Sequence, residues 1–172
     1  MQRSYHINVT NEQIRNGEKG TMLQIRNYKI GFDIGGLALF LVIMLPNFVW
    51  FAVPTANDVF RNQSVTPLVD MIASFFQVVM IAALCIIINK NRKKPIRKSS
   101  LSAMMLLIAL YYIGWCLYYA GIISPVIILD LCITPCIAFI LFSLWKKNVV
   151  ALISATIFML CHMLSVMMNF II

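Results

Sequence analysis

Five apolar runs, separated by short polar connections, are the feature that most constrains what this chain can fold into. An apolar run of about 20 residues is long enough to cross the hydrocarbon core of a bilayer, which is about 30 Å thick. In hydrocarbon a lone strand would leave its backbone groups without hydrogen bonds, so each run must be a helix. The runs cover about residues 30–53, 68–89, 101–120, 122–145 and 149–172.

Composition indicates the same environment. The chain is 61% hydrophobic and 12% charged, whereas about a quarter of the residues in a soluble domain are charged. Because the connections are short, consecutive helices should be antiparallel neighbours. The sequence therefore predicts an all-α fold, an integral membrane bundle of five transmembrane helices over residues 30–172.

The segment before the first run, residues 1–29, is polar and lacks helical or strand periodicity, so we predict that it is disordered. It has no apolar core of a signal peptide, and the first membrane segment is expected to stay as an anchor. Met22 follows "GEKGT", whose codons are purine-rich and could include a ribosome-binding sequence. Translation from Met1 and translation from Met22 both stay open.

The formal net charge of +8 comes from 14 basic and 6 acidic residues. The basic residues cluster between the apolar runs, which favours a membrane protein over a nucleic-acid partner. One side of the bundle would receive nearly all of them and the other only Arg61. Because cytoplasmic loops carry the excess of Lys and Arg, we predict a cytoplasmic N-terminus and a C-terminus outside, in a multi-pass protein of the cell membrane. The three clusters lie within residues 15–29, 90–98 and 146–147.

The cluster between Lys90 and Lys98 holds six basic residues. Such a cluster attracts anionic lipid by about 1 kcal/mol per residue. The alternative is that this cluster serves only to set the orientation of the protein in the membrane. The lipid bilayer, with anionic lipid near Lys90–Lys98, is therefore the expected partner. A homo-oligomer or hetero-oligomer stays open, and no nucleic acid is expected.

The stretch "MLPNFVWFAVPTAND" ends the first run. Pro46 removes a backbone donor and crowds the carbonyl of Val42, which predicts a kink. The aromatic residues that follow suit the membrane interface. Two readings stay open: a kinked helix with an aromatic anchor, or a kink that opens an outer mouth lined by Asn47.

Four aspartates accompany the apolar runs. Asp33, four residues after Lys29, and Asp70, in the first turn of the second run, suit the positive end of a helix dipole and are interpreted as structural. Asp58 lies in the outer loop and is expected to be solvated. Asp130 is different because it lies well inside the fourth run, where a charge costs about 2.5–3.5 kcal/mol.

Asp130 needs a partner, and His162 in the fifth run is the best candidate. Asp130 is 17 positions before Lys147 and His162 is 15 positions after it. At 1.5 Å per residue both lie about 23–26 Å from the turn. Three possibilities stay open for these two residues. They form a protonatable pair in a site, they form a buried polar pair that specifies helix packing, or they do not meet.

Other polar groups occur at comparable depth, whereas the inner halves of the runs are almost purely apolar. This asymmetry predicts a polar pocket that faces outward and is closed by an apolar plug. The predicted ligand-binding or proton-binding residues are Asp130, His162, Gln77, Asn47, Tyr112 and Thr134.

Several kinds of chemistry are not indicated. The five cysteines all lie in apolar runs, and one intramembrane His is too few for a bis-His haem. No HExxH, GxSxG or Gly-rich phosphate loop occurs. The sequence predicts no catalytic residue, no metal and no cofactor, and it favours a protein that is not an enzyme.

The stretches "YKIGFDIGG", "LPNFVWFAVP" and "SVTPLVDMIAS" resemble uncharacterised small polytopic membrane proteins of low-GC Gram-positive bacteria. The resemblance implies a bacterial membrane location and no particular activity, fold or site.

Three functions are consistent with these features. The first is binding or transport of a small solute or ion through the outward-facing pocket. The second is a non-catalytic accessory or regulatory subunit, whose polar residues serve helix packing. The third is an integral membrane enzyme that acts on lipid, for which only Asp58, Asp70 and Arg61 offer charge at the outer interface.

Overall fold

A computed structural model describes residues 28–55, 58–91 and 96–171. This part of the chain contains five α-helices, each long and apolar enough to span a membrane. The predicted all-α membrane bundle is therefore confirmed. The helices are α1 Ile34–Ala52, α2 Pro67–Ile86, α3 Lys98–Tyr119, α4 Pro125–Lys146 and α5 Val149–Phe170.

Some predictions fall on residues outside the described part. These are the disorder of residues 1–27, the choice between Met1 and Met22, and the placement of Arg92, Lys93 and Lys94. All three stay predictions.

Polar caps set several helix starts. Asp33 is the N-cap of α1, and its carboxylate accepts hydrogen bonds from the backbone N–H groups of Gly35 and Gly36. Ser124 caps α4, and Asn148 caps α5 in the same way. An N-cap side chain satisfies backbone donors that have no partner inside the helix. The first and fourth helices therefore begin three to four residues later than hydrophobicity alone predicts.

A two-stranded antiparallel sheet was not predicted. Its strands are β1 Tyr28–Ile30 and β2 Ile87–Asn89, with Lys29 opposite Ile88. The prediction of disorder is wrong for residues 28–29, and the prediction that the second helix continues to residue 89 is wrong. A short apolar run does not distinguish a strand from a helix end, and here strand pairing decides.

Packing places α5 between α2 and α4, while α4 also packs against α3. Helix α1 packs mainly against α2. The prediction that consecutive helices are neighbours fails for α2 and α3, because α5 lies against α2 instead. The connection over residues 87–97 is long enough to allow this, since an extended chain spans about 3.3 Å per residue.

The helices alternate in direction, so the bundle has two different ends. We call the end with the start of α1 the basic end and the opposite end, with residues 58–66, the distal end. Among the described residues, every Lys and Arg except Arg61 lies at the basic end. Those residues are Lys29, Lys90, Arg97, Lys98, Lys146 and Lys147.

Polar contacts hold the basic end together. The ammonium group of Lys146 donates to Asp33 and forms an ion pair with it, although Lys29 lies nearer in the sequence. Side-chain amide N–H groups of Asn148 donate to the carbonyls of Ala83 and Ile87, at 2.8 and 3.0 Å. One residue therefore caps α5 and holds the end of α2.

Small side chains let the helices approach closely in the basic half. A Cβ added at Gly36 would collide with the backbone carbonyl of Leu84 on α2. Gly31 and Gly35 have only side-chain atoms close to an added Cβ. Several core positions here have almost no exposed surface: Met80, Ala83, Leu84, Ala138, Ser143, Ala151 and Ala155.

Candidate functional site

The distal half contains a cavity of about 430 Å³ bounded by all five helices. Phe60 and residues 62–64 cover it at the distal end. Among the lining residues Phe51, Asn62, Gln63 and Ser74 are exposed, so the cavity opens at the distal end and along the seam between α1 and α2. The volume is within the range of small-molecule sites, about 300–1,000 Å³.

Aromatic rings form much of the cavity wall. The rings of Phe60 and Trp115 lie 6.3 Å apart, and those of Tyr111 and Trp115 lie 6.4 Å apart. The N–H of Trp115 makes no hydrogen bond of normal geometry with any described residue. The aromatic lining residues are Trp50, Phe51, Phe60, Tyr111, Trp115, Phe139, Phe158 and Phe170.

Two predicted site residues, Gln77 and His162, line the cavity from α2 and α5. Both are half-buried. The imidazole of His162 stacks on Phe158 with ring centroids 5.2 Å apart and an angle of 13° between the planes. No described residue forms a hydrogen bond with either side chain, so their polar groups are free to contact a molecule in the cavity.

Asp70 lines the same cavity, next to the start of α2. The hydroxyl of Ser165 on α5 donates to its carboxylate. The hydroxyl of Thr66 donates to Ser165 at 3.3 Å, and the amide of Asn169 donates to Thr66 at 2.9 Å. Of the described residues that line the cavity, Asp70 alone carries a formal charge when His162 is neutral.

Asn47 and Tyr112 support α1 at its proline. The amide of Asn47 faces the cavity and donates to the hydroxyl of Tyr111 at 2.6 Å. Pro46 leaves the carbonyl of Val42 without its usual donor, and the hydroxyl of Tyr112 donates to that carbonyl at 2.7 Å. Tyr112 therefore stabilises the helix around Pro46 and does not line the cavity.

Asp130 and Thr134 lie away from the cavity. A Cβ added at Gly114 would collide with a carboxylate oxygen of Asp130, so this side chain faces α3. The hydroxyl of Thr134 donates to the backbone carbonyl of Asp130 at 2.7 Å. No hydrogen bond or ion pair joins Asp130 to His162 in the part of the chain that the structure describes. The equal depth of the two residues does not reveal this, because depth does not give the direction that a side chain faces around the helix axis.

Asp58 is not solvated, contrary to expectation. Its side chain is 7% exposed and accepts hydrogen bonds from the indole of Trp50, the hydroxyl of Tyr118 and the guanidinium of Arg61. Burial acts to raise the pKa of Asp58, but these hydrogen bonds outweigh it and hold the pKa below its usual range. These hydrogen bonds to Asp58 fix the loop that covers the cavity.

The described residues include no cluster of three or more His, Cys, Asp or Glu side chains able to hold a metal ion. Two free cysteines, Cys132 and Cys136, lie in the cavity wall on α4. They are four residues apart on one helix face, and both are almost fully buried. Their surroundings suit apolar packing.

The sequence contains a pattern that indicates the polar side of this cavity, and our predictions did not include it. Asp70, Ser74 and Gln77 recur at helical spacing along α2. His162, Ser165 and Asn169 do so along α5. Residues three or four apart share a helix face, so each triplet forms a polar stripe. The two stripes meet because α2 packs against α5.

Known proteins offer no guide to the chemistry of this cavity. Comparisons of the chain with family models, with curated proteins and with solved structures found no match.

Proposed function

We propose that this chain is a multi-pass protein of a bacterial cell membrane that binds a small solute or ion in the distal cavity, as a step of its transport. The observation that carries the proposal is the presence of His162 and Gln77 on the cavity wall without hydrogen-bond partners among the described residues. Polar groups that serve only helix packing normally satisfy one another. Polar groups that face a cavity without partners are therefore better explained by ligand binding than by helix packing in an accessory subunit.

The distribution of charge supports an orientation for this function. The basic end carries six of the seven described Lys and Arg side chains, and Arg61 alone lies at the distal end. Cytoplasmic loops carry the excess of such residues. The N-terminus is then cytoplasmic, and the cavity opens to the outside. Lys90, Arg97 and Lys98 are exposed, which suits contact with anionic lipid on the cytoplasmic face.

Cysteine labelling tests whether solutes reach the cavity. In a background with all five native cysteines replaced by alanine, Gln77→Cys places a thiol on the cavity wall. We expect a membrane-impermeant methanethiosulfonate reagent, added outside intact cells, to label it. Water in the cavity permits the thiolate to form and react, and the reagent is small enough for a cavity of about 430 Å³.

Val78→Cys is the matched negative control, because Val78 is the next residue on α2 and its side chain is 65% exposed on the apolar outer face. Ala120→Cys, in the exposed turn after α3, is the positive control. If Gln77→Cys is as unreactive as Val78→Cys while Ala120→Cys reacts, the binding proposal is wrong and the accessory-subunit alternative gains. If Ala120→Cys reacts only in inside-out vesicles, the orientation alone is wrong.

A further inference from the structure

We propose that the ligand of the distal cavity is an organic cation, a quaternary ammonium or protonated amine, with Asp70 as its counter-charge. This inference rests on the proposed function, because it specifies what the cavity binds. It depends on the charge of the wall, on the aromatic rings and on the size of the cavity.

The charge of the wall is unbalanced. Asp70 forms no ion pair, since the described ion pairs join only Arg61 to Asp58 and Lys146 to Asp33. No Lys or Arg in the described part of the chain lines the cavity. A carboxylate in an apolar bundle without a counter-charge is costly, and a cleft of one charge sign attracts the opposite one. A bound cation would supply the missing charge.

Asp70 lies in the first turn of α2. The positive end of the α2 dipole lies beside this side chain, and the hydroxyl of Ser165 donates to it. Ser165 and Asn169 belong to a hydrogen-bonded set that uses its oxygens internally, since Thr66 donates to Ser165 and the backbone N–H of Val65 donates to Asn169. The oxygens of Ser165 and Asn169 beside Asp70 are therefore already used, whereas a bare metal ion requires about six oxygen ligands.

The aromatic wall offers the second attraction. The faces of Trp, Tyr and Phe rings attract cations through their quadrupoles, and aromatic cages recognise quaternary ammonium groups in this way. Phe60, Trp115 and Tyr111 form a continuous wall with ring separations of 6.3 and 6.4 Å. Trp50 already has a cation over its ring, the guanidinium of Arg61 at 4.9 Å.

Size distinguishes an organic cation from a monatomic one. A cavity of about 430 Å³ is much larger than a single hydrated ion needs, and a large share of its lining is apolar. Gln77 and His162 add free hydrogen-bonding groups on the wall shared with Asp70. A ligand with a positive head, an apolar body and one or two polar groups would match all of these features.

The test compares three probes of similar size on the full chain in detergent micelles. They are benzyltrimethylammonium, its neutral isostere neopentylbenzene, and the anion benzenesulfonate. Binding is followed through tryptophan fluorescence, because Trp50 and Trp115 line the cavity. We expect saturable quenching by the cation, binding of the neutral probe at least about tenfold weaker, and no binding of the anion.

Two matched carboxylate variants locate the counter-charge. Asp70→Asn should weaken binding of the cation by about tenfold or more. Asp130→Asn removes a carboxylate that faces Gly114 instead of the cavity, and it should leave binding unchanged. The comparison among probes on the unaltered chain needs no variant, so it decides the matter even if Asp70→Asn does not fold.

The outcomes separate the two proposals. Equal binding of the cation and the neutral probe, or an unchanged affinity in a folded Asp70→Asn variant, would overturn the cation assignment while the cavity remains a binding site. Absence of cation binding also overturns it. Only the further failure of the thiol at position 77 to react would remove the binding function itself.

Discussion

The two halves of the bundle are built from the same five helices, yet one is closed and the other is hollow. In the basic half small residues such as Gly36, Ala83 and Ala151 let backbones approach, and no surface is left for water. In the distal half large rings such as Trp115 and Phe60 line the cavity. Small side chains therefore close the basic half of this bundle by letting its helices approach.

The two halves also use charge differently. The ion pair of Asp33 with Lys146 lies at the basic end, with both side chains 11% exposed. At the distal end Asp58 is equally sheltered, but its partner Arg61 has a side chain that is 43% exposed. Each carboxylate pairs with a basic side chain at its end of the bundle. Without the carboxylate charge, Lys146 would be a buried unpaired cation, whereas Arg61 would remain partly in water.

The largest expected effect is that of Asp33→Asn at the basic end. Asparagine keeps the capping oxygen but leaves the buried Lys146 ammonium without a counter-charge, which costs about 4 kcal/mol. The measurement is the free energy of unfolding in mixed micelles of detergent and dodecyl sulfate. Asp58→Asn should cost only about 1 kcal/mol, because Arg61 remains partly in water. Equal losses at the two ends would contradict this comparison.

The same carboxylates predict a dependence of stability on pH. Burial acts to raise the pKa of Asp33, but hydrogen bonds from Lys146, Gly36 and Gly35 and the Lys146 charge outweigh it, so its pKa lies below the usual value. The pKa of Asp58 is lowered as well. A lowered folded-state pKa gives stability that is complete above the unfolded-state pKa, about 3.9, and is lost as pH falls through the folded-state value.

We therefore expect the unfolding midpoint of the protein to be lower in acid, below about pH 4, than at pH 7. The double variant Asp33→Asn, Asp58→Asn should show a smaller fall, since both linked groups are gone. An unchanged pH dependence in the double variant would mean that other groups are responsible.

The next effect concerns close approach in the basic half. Gly36→Ala adds a Cβ that collides with the carbonyl of Leu84, whose carbon would lie at 2.8 Å, and the expected loss is about 3 kcal/mol. Gly31→Ala is the control, because its added Cβ meets only the flexible end of the Ile88 side chain, at 3.2 Å. A tolerated Gly36→Ala would show that α1 and α2 can separate in this half as well.

Helix caps give a third contrast. Asn148→Ala removes a cap bond to Ala151 at 3.1 Å and the two bonds to α2, and we expect a loss of about 2 kcal/mol. Ser124→Ala, at the distal end, removes only a bond of 3.4 Å to Ile127 and should cost about 0.5 kcal/mol. Thermal unfolding of both variants in the same detergent measures the difference.

The smallest effect is expected at the proline in α1. Tyr112→Phe removes the hydroxyl that donates to Val42 at 2.7 Å, with a loss of about 1 kcal/mol. Tyr119→Phe is the matched control, because its hydroxyl donates to Val53 at 3.0 Å beside the exposed end of the helix. If Tyr112→Phe lowers the stability no more than this control does, the Val42 carbonyl that Pro46 leaves free needs no protein partner.

Part of the site was readable from the sequence. His162, Gln77 and Asn47 were predicted, and all three line the cavity, because an isolated polar residue in an apolar run stands out. Asp70 was interpreted as only a helix-start residue, since its position near the N-terminus of α2 already explains a carboxylate there. Its position in the cavity wall depends on contact with α5, which no property of the second run alone reveals.

The sequence by itself determined the five spans and the gathering of basic residues at one end, because the length and hydrophobicity of a run fix whether it can cross hydrocarbon. It also fixed the depth of each residue, since the rise per residue of a helix is constant. Only the tertiary structure decided the rotation of each helix about its axis. That rotation follows from which small and large side chains meet, and it directs Asp70 into the cavity and Asp130 against Gly114.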